Sequence, residues 1–247
     1  MRYVRQYDPT TLADGGAGDW IIDPCEGLGL SARLRRGTTI GGSPYTASTQ
    51  ERYALILEGT AELLSGSERA VARKGELIFV PAGSSALIEA DGASVWMEIE
   101  APVDAEDGSF EDVPARVVAI DQARFEGGGF AYQSVAERST GARTMRINVL
   151  QVQPGSGSPD YHIHRFAQIY IIQEGEMTLD IGRSRTTAKE NSVVVLPPGL
   201  VHRNFNAAAA VERHVSLLVP EPREGEIFDY AVTIHEREAE LLQSVPA

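Results

Sequence analysis

The chain has 247 residues, with 22 Lys+Arg against 35 Asp+Glu, a formal charge of −13, 43 % hydrophobic residues and 23 % charged ones. That composition is ordinary for a globular protein and is long enough for two small domains or one large one; it excludes collagen-like and disordered chains. The acidic balance argues against nucleic acid and anionic membranes as partners. Neutralising phosphates takes clustered Lys and Arg, and the densest basic run is Arg33-Leu34-Arg35-Arg36.

From the N-terminus, residues 1–27 read as an arm with a Gly-rich break at 15–18. The opening residues Met1 to Pro9 lack the apolar core of a signal peptide. No stretch approaches 18 uninterrupted apolar residues, which predicts a cytoplasmic protein. The single cysteine, Cys25, permits no intrachain disulfide and no zinc-finger spacing, and it reads as a packed or surface thiol.

The next stretch is one half of an internal repeat. Residues 41–86 lie over 157–202 without a gap at a constant offset of 116, and eleven of the 46 pairs are identical, among them Tyr45/Tyr161, Glu58/Glu174, Gly59/Gly175, Gly66/Gly182, Pro81/Pro197 and Gly83/Gly199. Average amino-acid usage gives on the order of three. The apolar runs in both copies are short and bounded by Gly, Pro or charges, as in residues 53–57, 77–80, 169–172 and 193–196. They predict buried strands rather than helices. Glu-Gly at 58–59 and 174–175 supplies hairpin turns. Each copy is therefore predicted to be an antiparallel jelly-roll barrel, at 28–101 and 144–220, with residues 102–143 as a connection that includes an exchanged strand. In the tail, 221–247, residues 235–242 have the composition of a short helix. The fold class expected is all-β: two tandem barrels, an N-terminal arm and a C-terminal helix.

Three of the five histidines fall in the second copy. On a strand, residues i and i+2 face the same way, so His162 and His164 present two imidazoles to the barrel interior, with Gln168 at matching parity. The turn at Pro197-Pro198-Gly199 brings His202 in from another strand as a third imidazole. Three neutral imidazoles and an amide oxygen suit one divalent transition metal (Fe, Mn, Ni, Zn or Cu) and leave positions open for substrate or water. His214 and His235 lack such company.

These residues resemble the cupins. His162-x-His164-x-x-x-Gln168 followed by Gly175 resembles the first cupin motif, whose usual fourth ligand is Glu. Pro197-x-Gly199-x-x-His202-x-x-x-Asn206 resembles the second motif, with Asn191 where a leading Gly is usual. With the repeat, the resemblance covers about two thirds of the chain and implies a bicupin. The first copy has Thr46, Ser48, Arg52 and Ala86 opposite His162, His164, Gln168 and His202. It is expected to keep the turns and bind no metal, serving as a scaffold or dimerisation barrel or as a metal-free pocket.

A Gln in place of Glu leaves a divalent metal formally at +2, which favours an anionic substrate such as an enolate or carboxylate. It also removes an obvious proton acceptor. Tyr161, Tyr170 and Asn206 are the nearest catalytic candidates; Arg165, Arg203 and Asn204 are also near. Resemblance to quercetinase-type bicupins implies a dioxygenase acting on a small enolisable or aromatic molecule. The alternatives are a non-redox lyase, isomerase or aminohydrolase, since ureidoglycine aminohydrolases are similar in carrying metal only in the second barrel, and a non-catalytic sensor. Oxalate decarboxylases usually carry ligands in both barrels and fit less well. A homodimer is expected from the open barrel edges.

Overall fold

The computed structural model describes residues 2–12, 19–37, 43–104, 113–158 and 160–234. The predicted helix at 235–242, the Gly-rich break at 15–18 and most of the acidic stretch at 104–109 lie outside them. In chain order, the first half contains β1 (Val4–Gln6), β2 (Trp20–Ile22), β3 (Ser31–Arg36), β4 (Ser43–Tyr45), β5 (Gln50–Glu58), β6 (Thr60–Ser65), β7 (Glu68–Arg73), β8 (Leu77–Val80), β9 (Ala86–Glu89) and β10 (Val95–Pro102). Then come β11 (Arg116–Val118), β12 (Phe130–Ala136), β13 (Arg146–Val152), β14 (His162–Ile163), β15 (Ala167–Glu174) and β16 (Glu176–Ile181). The last are β17 (Ser184–Lys189), β18 (Ser192–Leu196), β19 (His202–Phe205), β20 (Glu212–Val219) and β21 (Tyr230–Ala231). Among the described residues no helix is long and apolar enough to cross a membrane.

These strands build two barrels, each from a six-stranded and a smaller sheet. The first has the order β11-β8-β5-β10-β3-β2 facing β4-β9-β6-β7; the second has β1-β18-β15-β20-β13-β12 facing β17-β16-β19-β14-β21. The chain is thus all-β with two tandem barrels. The arm crosses over, since β1 pairs with β18 of the second barrel, Val4 opposite Val194. The connection is shared: β11 pairs with β8 of the first barrel and β12 with β13 of the second.

The two six-stranded sheets pack back to back, which explains the unbroken apolar runs. In a strand such as Ile169-Tyr170-Ile171-Ile172, alternate residues face opposite sides. Ile169 and Ile171 join the core between barrels, with Leu55, Phe79 and Met97 from the first barrel, while Tyr170 and Ile172 face their own barrel's interior. Apolar residues are buried on both faces, as in a sheet covered on two sides. Each fully buried Ile or Leu contributes about 1.5–3 kcal/mol relative to exposure. A polar clamp also ties the halves together. The buried Glu51 carboxylate on β5 accepts from Tyr53 Oη (2.9 Å), Arg143 N (2.8 Å), Thr144 N (3.1 Å) and Thr144 Oγ1 (2.6 Å).

The repeat holds at the level of single bonds. Gly75 N donates to Ile56 O and Asn191 N to Ile172 O, the same turn in each barrel. Asn191, with φ 63°, is the single non-glycine at positive φ among the described residues; Gly75 has φ 87°. Asn tolerates the left-handed conformation, so the turn survives the loss of its glycine. The ungapped register breaks in one place. Tyr45 pairs with Ala86 as His162 pairs with His202, so Tyr45, not Thr46, occupies the place of His162. Tyr45 is buried and Thr46 exposed, which shows a one-residue slip between the copies at this strand.

Candidate metal centre

The sequence brings three imidazoles together from two antiparallel strands and the short segment after one of them. His162 on β14 lies opposite His202 on β19, and His164 follows at i+2. The ring centroids form a nearly equilateral triangle, 4.8 Å (His162–His164), 4.5 Å (His162–His202) and 5.0 Å (His164–His202). One nitrogen from each ring lies within 4.8 Å of the others, and all three residues are buried. Gly199, at φ 76°, lets the backbone reverse so that its N–H reaches His164 O at 2.8 Å and β19 can start at His202.

The outer nitrogens fix the tautomers. Nδ1 of His162 lies 2.9 Å from Asp160 O, Nδ1 of His164 2.9 Å from Phe228 O, and Nδ1 of His202 2.9 Å from Leu200 O. A carbonyl only accepts, so each Nδ1 carries the hydrogen and each neutral ring turns an Nε2 lone pair inward. Burial lowers the pKa of His164, and it holds His202 at about 4. His164 and His202 are therefore held in the neutral state, the one a metal needs. His164 Nε2 is buried without a hydrogen-bond partner. His202 Nε2 faces Gln168 Oε1 at 3.2 Å. Two acceptors face each other there, an arrangement that a shared cation relieves. The donor set therefore fits a divalent cation held by His162, His164, His202 and Gln168.

A cavity of about 350 Å³ opens beside these rings. Tyr170 lines it, fully buried, with Oη 3.4 Å from Asn204 Oδ1, and burial raises its pKa. Its phenol stays protonated and serves as a donor rather than a base. Tyr161 is not among the lining residues. Its hydroxyl points to Asp180 (3.4 Å) under the Arg203 guanidinium, which sits 4.5 Å from its ring centroid. Asn206 is buried too, but its amide clamps backbone, donating to Val152 O (2.9 Å) and Ala210 O (2.7 Å) and accepting from Ala208 N (2.9 Å). Neither group is among the residues that line the cavity, and both are engaged in hydrogen bonds elsewhere. Arg203 faces away from the histidines, as its adjacent position demands, and pairs with Asp180 at 2.8 Å. Arg165 lies over the Tyr230 ring at 5.1 Å. His214 is wholly buried, with Nδ1 2.9 Å from both oxygens of Glu212.

Two groups of site residues escaped the sequence reading. The tail returns to the site: β21 pairs with β14, Val232 N donates to Tyr161 O (2.8 Å), and Phe228 packs on His164 (5.4 Å) and Phe166 (5.0 Å). Asp229 lines the cavity and sits 3.3 Å from His164 Nδ1. The one hint was an apolar pair, Ile227-Phe228, in an otherwise charged tail. Arg146, Asn148 and Ser216 also line the cavity. Their signal was polar residues at period two in otherwise apolar strands, Arg146-Ile147-Asn148-Val149 and Val215-Ser216-Leu217.

The cupin domain family matches residues 148–215, the heart of the second barrel. No curated protein matches the sequence. Among solved structures, the cupin 2 conserved barrel domain protein from Leptotrichia buccalis is similar at 14 % identity and a TM-score of 0.62, over 85 % of this chain and 91 % of that one. A mutant of salicylate 1,2-dioxygenase from Pseudoaminobacter salicylatoxidans is similar at 12 % identity, TM-score 0.65, over 82 % and 75 %. A mutant oxalate decarboxylase from Bacillus subtilis is similar at 12 % identity, TM-score 0.67, over 94 % and 79 %. At these identities the likeness is one of fold, and the fold is that of a bicupin.

Proposed function

We propose that this bicupin is a metal-dependent enzyme acting on a small molecule, with one divalent transition metal held in the second barrel by His162, His164, His202 and Gln168. The carrying observation is the inward convergence of three imidazole Nε2 atoms whose outer nitrogens are all bound to backbone carbonyls. We favour a dioxygenase that cleaves a small enolisable or aromatic substrate. Salicylate 1,2-dioxygenase shares the fold, which supports the class without fixing the reaction.

When bound, a divalent cation there supplies a Lewis acid for a substrate oxygen and, with a redox metal, a site for dioxygen. The protein's own groups do the rest. Gln168, being neutral, leaves the positive charge undiminished and holds no proton to exchange. Tyr170 donates from the cavity wall. Asp229, half-exposed at the histidine side, accepts a proton from substrate. Phe166 and Phe228 pack against the His164 ring. A neutral amide among the ligands also fits a non-redox lyase or isomerase, which makes dioxygen the deciding reagent. The test is metal analysis of the purified protein, followed by turnover of enolisable and aromatic acids with and without O₂. Oxygen uptake coupled to turnover is expected; undiminished turnover without oxygen gives the non-redox class.

A further inference from the structure

The cavity has a second polar pole away from the histidines. Several buried polar side-chain atoms lack a partner among the described residues, and Arg146 Nε, Asn148 Oδ1, His164 Nε2 and Ser216 Oγ all belong to residues lining this one cavity. Three of the four are contiguous. Arg146 and Asn148 share a face of β13 at i and i+2, and Ser216 on β20 is the direct cross-strand partner of Asn148. Buried polar groups are nearly always satisfied in folded proteins, and unmet ones gathered on one wall mark a place for a ligand.

The register gives the distance between poles. Gln168 and Arg146 both pair with Leu218, from opposite sides. They therefore stand two strand spacings apart, about 10 Å along the sheet. Leu218 lies between them, and Leu150 and Phe130 extend the apolar wall. The charges are also placed apart. Arg146 is the one cation and Asp229 the one carboxylate among the lining residues. Glu137 pairs with Arg146 Nη2 at 3.1 Å and is itself fixed by the hydroxyls of Ser134 (3.0 Å) and Ser139 (2.6 Å). The guanidinium is thus steadied at Nη2 while its Nε–H stays without a partner. An Arg fork presented in this way suits a carboxylate.

We infer that the substrate is a carboxylate whose acid group sits on Arg146, Asn148 and Ser216, across an apolar body from the oxygen directed at the histidines. This rests on the metal-site reading for the second oxygen only. It excludes small chelating acids, whose two oxygens are adjacent and cannot reach both poles.

The experiment is calorimetric binding of 4-hydroxybenzoate, phenol and oxalate to the zinc-loaded protein, zinc being redox-silent. 4-Hydroxybenzoate is expected to bind at least tenfold tighter than phenol. Arg146→Leu should erase that preference and Ser216→Ala reduce it severalfold. Glu137→Gln, which strips the neutralising carboxylate from Arg146, should strengthen it. Oxalate binding should not depend on Arg146. Arg146→Leu should still take up zinc and melt cooperatively, so a loss of preference is not a loss of fold. Equal affinity for 4-hydroxybenzoate and phenol, no binding of either, or a preference that survives Arg146→Leu overturns the inference. The same comparison on metal-free protein separates the two readings. If no zinc is taken up yet the Arg146-dependent preference persists, the metal site fails and the carboxylate pole stands.

Discussion

In the first barrel the ring of Tyr45 stands where the second barrel has His162, and its hydroxyl donates to Glu98 at 2.8 Å. Arg52 occupies the place of Gln168 and donates to Ser48 Oγ at 2.6 Å, in the place of His164. Glu98, at the position of Ser216 by strand pairing, also takes Arg33 and Arg35. Trp96, fully buried, closes the interior with Ile56, Ile78 and Ile88. The second barrel keeps the same strands and turns, but its interior holds neutral imidazoles, unpartnered polar atoms and a cavity. One copy thus carries its own cation, a guanidinium, already paired with protein groups. The other offers lone pairs and needs a cation from outside. The same fold has a filled interior in one copy and a cavity lined by imidazoles in the other, and a few interior side chains decide which.

The largest expected effect is on metal uptake. His162→Ala with His202→Ala should abolish stoichiometric binding, read by elemental analysis after gel filtration. Ser48→Ala and Arg52→Gln should leave it unchanged, and metal loss in either would erase the distinction between the barrels. The converse holds for stability. Glu98→Ala strands Arg33, Arg35 and Tyr45 around a hole, which should cost about 3–5 kcal/mol in urea unfolding with metal stoichiometry intact.

Protons sharpen the contrast next. Burial holds His202 at about 4 in the folded, metal-free protein, against about 6.5 in an unfolded chain. Between those values the unfolded state binds more protons, so stability is fully present above about pH 6.5 and is lost as pH falls toward 4, by up to about 3 kcal/mol. Urea titrations of the metal-free protein from pH 7 to 4 should show that slope. His202→Asn should reduce it, leaving the part that the buried His164 contributes; an unchanged slope would mean the His202 ring is not buried and neutral.

The smallest effect lies in the shared turn. Gly75→Ala places a Cβ at φ 87° with nothing nearer than Gln173 Nε2 at 3.9 Å, so the cost is conformational alone, about 1–2 kcal/mol. Asn191→Gly, at φ 63°, should shift the melting free energy by under about 0.5 kcal/mol. Equal costs at the two positions would show that the turns are not equivalent.

Much of this was legible in the sequence because it is local. Strand parity put His162 and His164 on one face, the Pro-x-Gly turn announced His202, and the repeat announced the second barrel. What stayed hidden depends on pairings between distant segments. Ungapped alignment cannot show the one-residue slip that puts Tyr45 in the place of His162, because register is set by the partner strand. Nor does any motif say that the Phe228 carbonyl, 64 residues from His164, fixes that ring's tautomer. Tyr161 and Asn206 looked catalytic by nearness in sequence, yet their hydrogen bonds face an outer wall and a backbone turn.

Native mass spectrometry of the protein equilibrated with excess zinc and then desalted tests the asymmetry most directly. One zinc ion per chain is expected, lost on mutation of His162 and His202. No retained zinc, or a second tightly held ion that survives that mutation, would contradict the assignment of a single metal site to the second barrel.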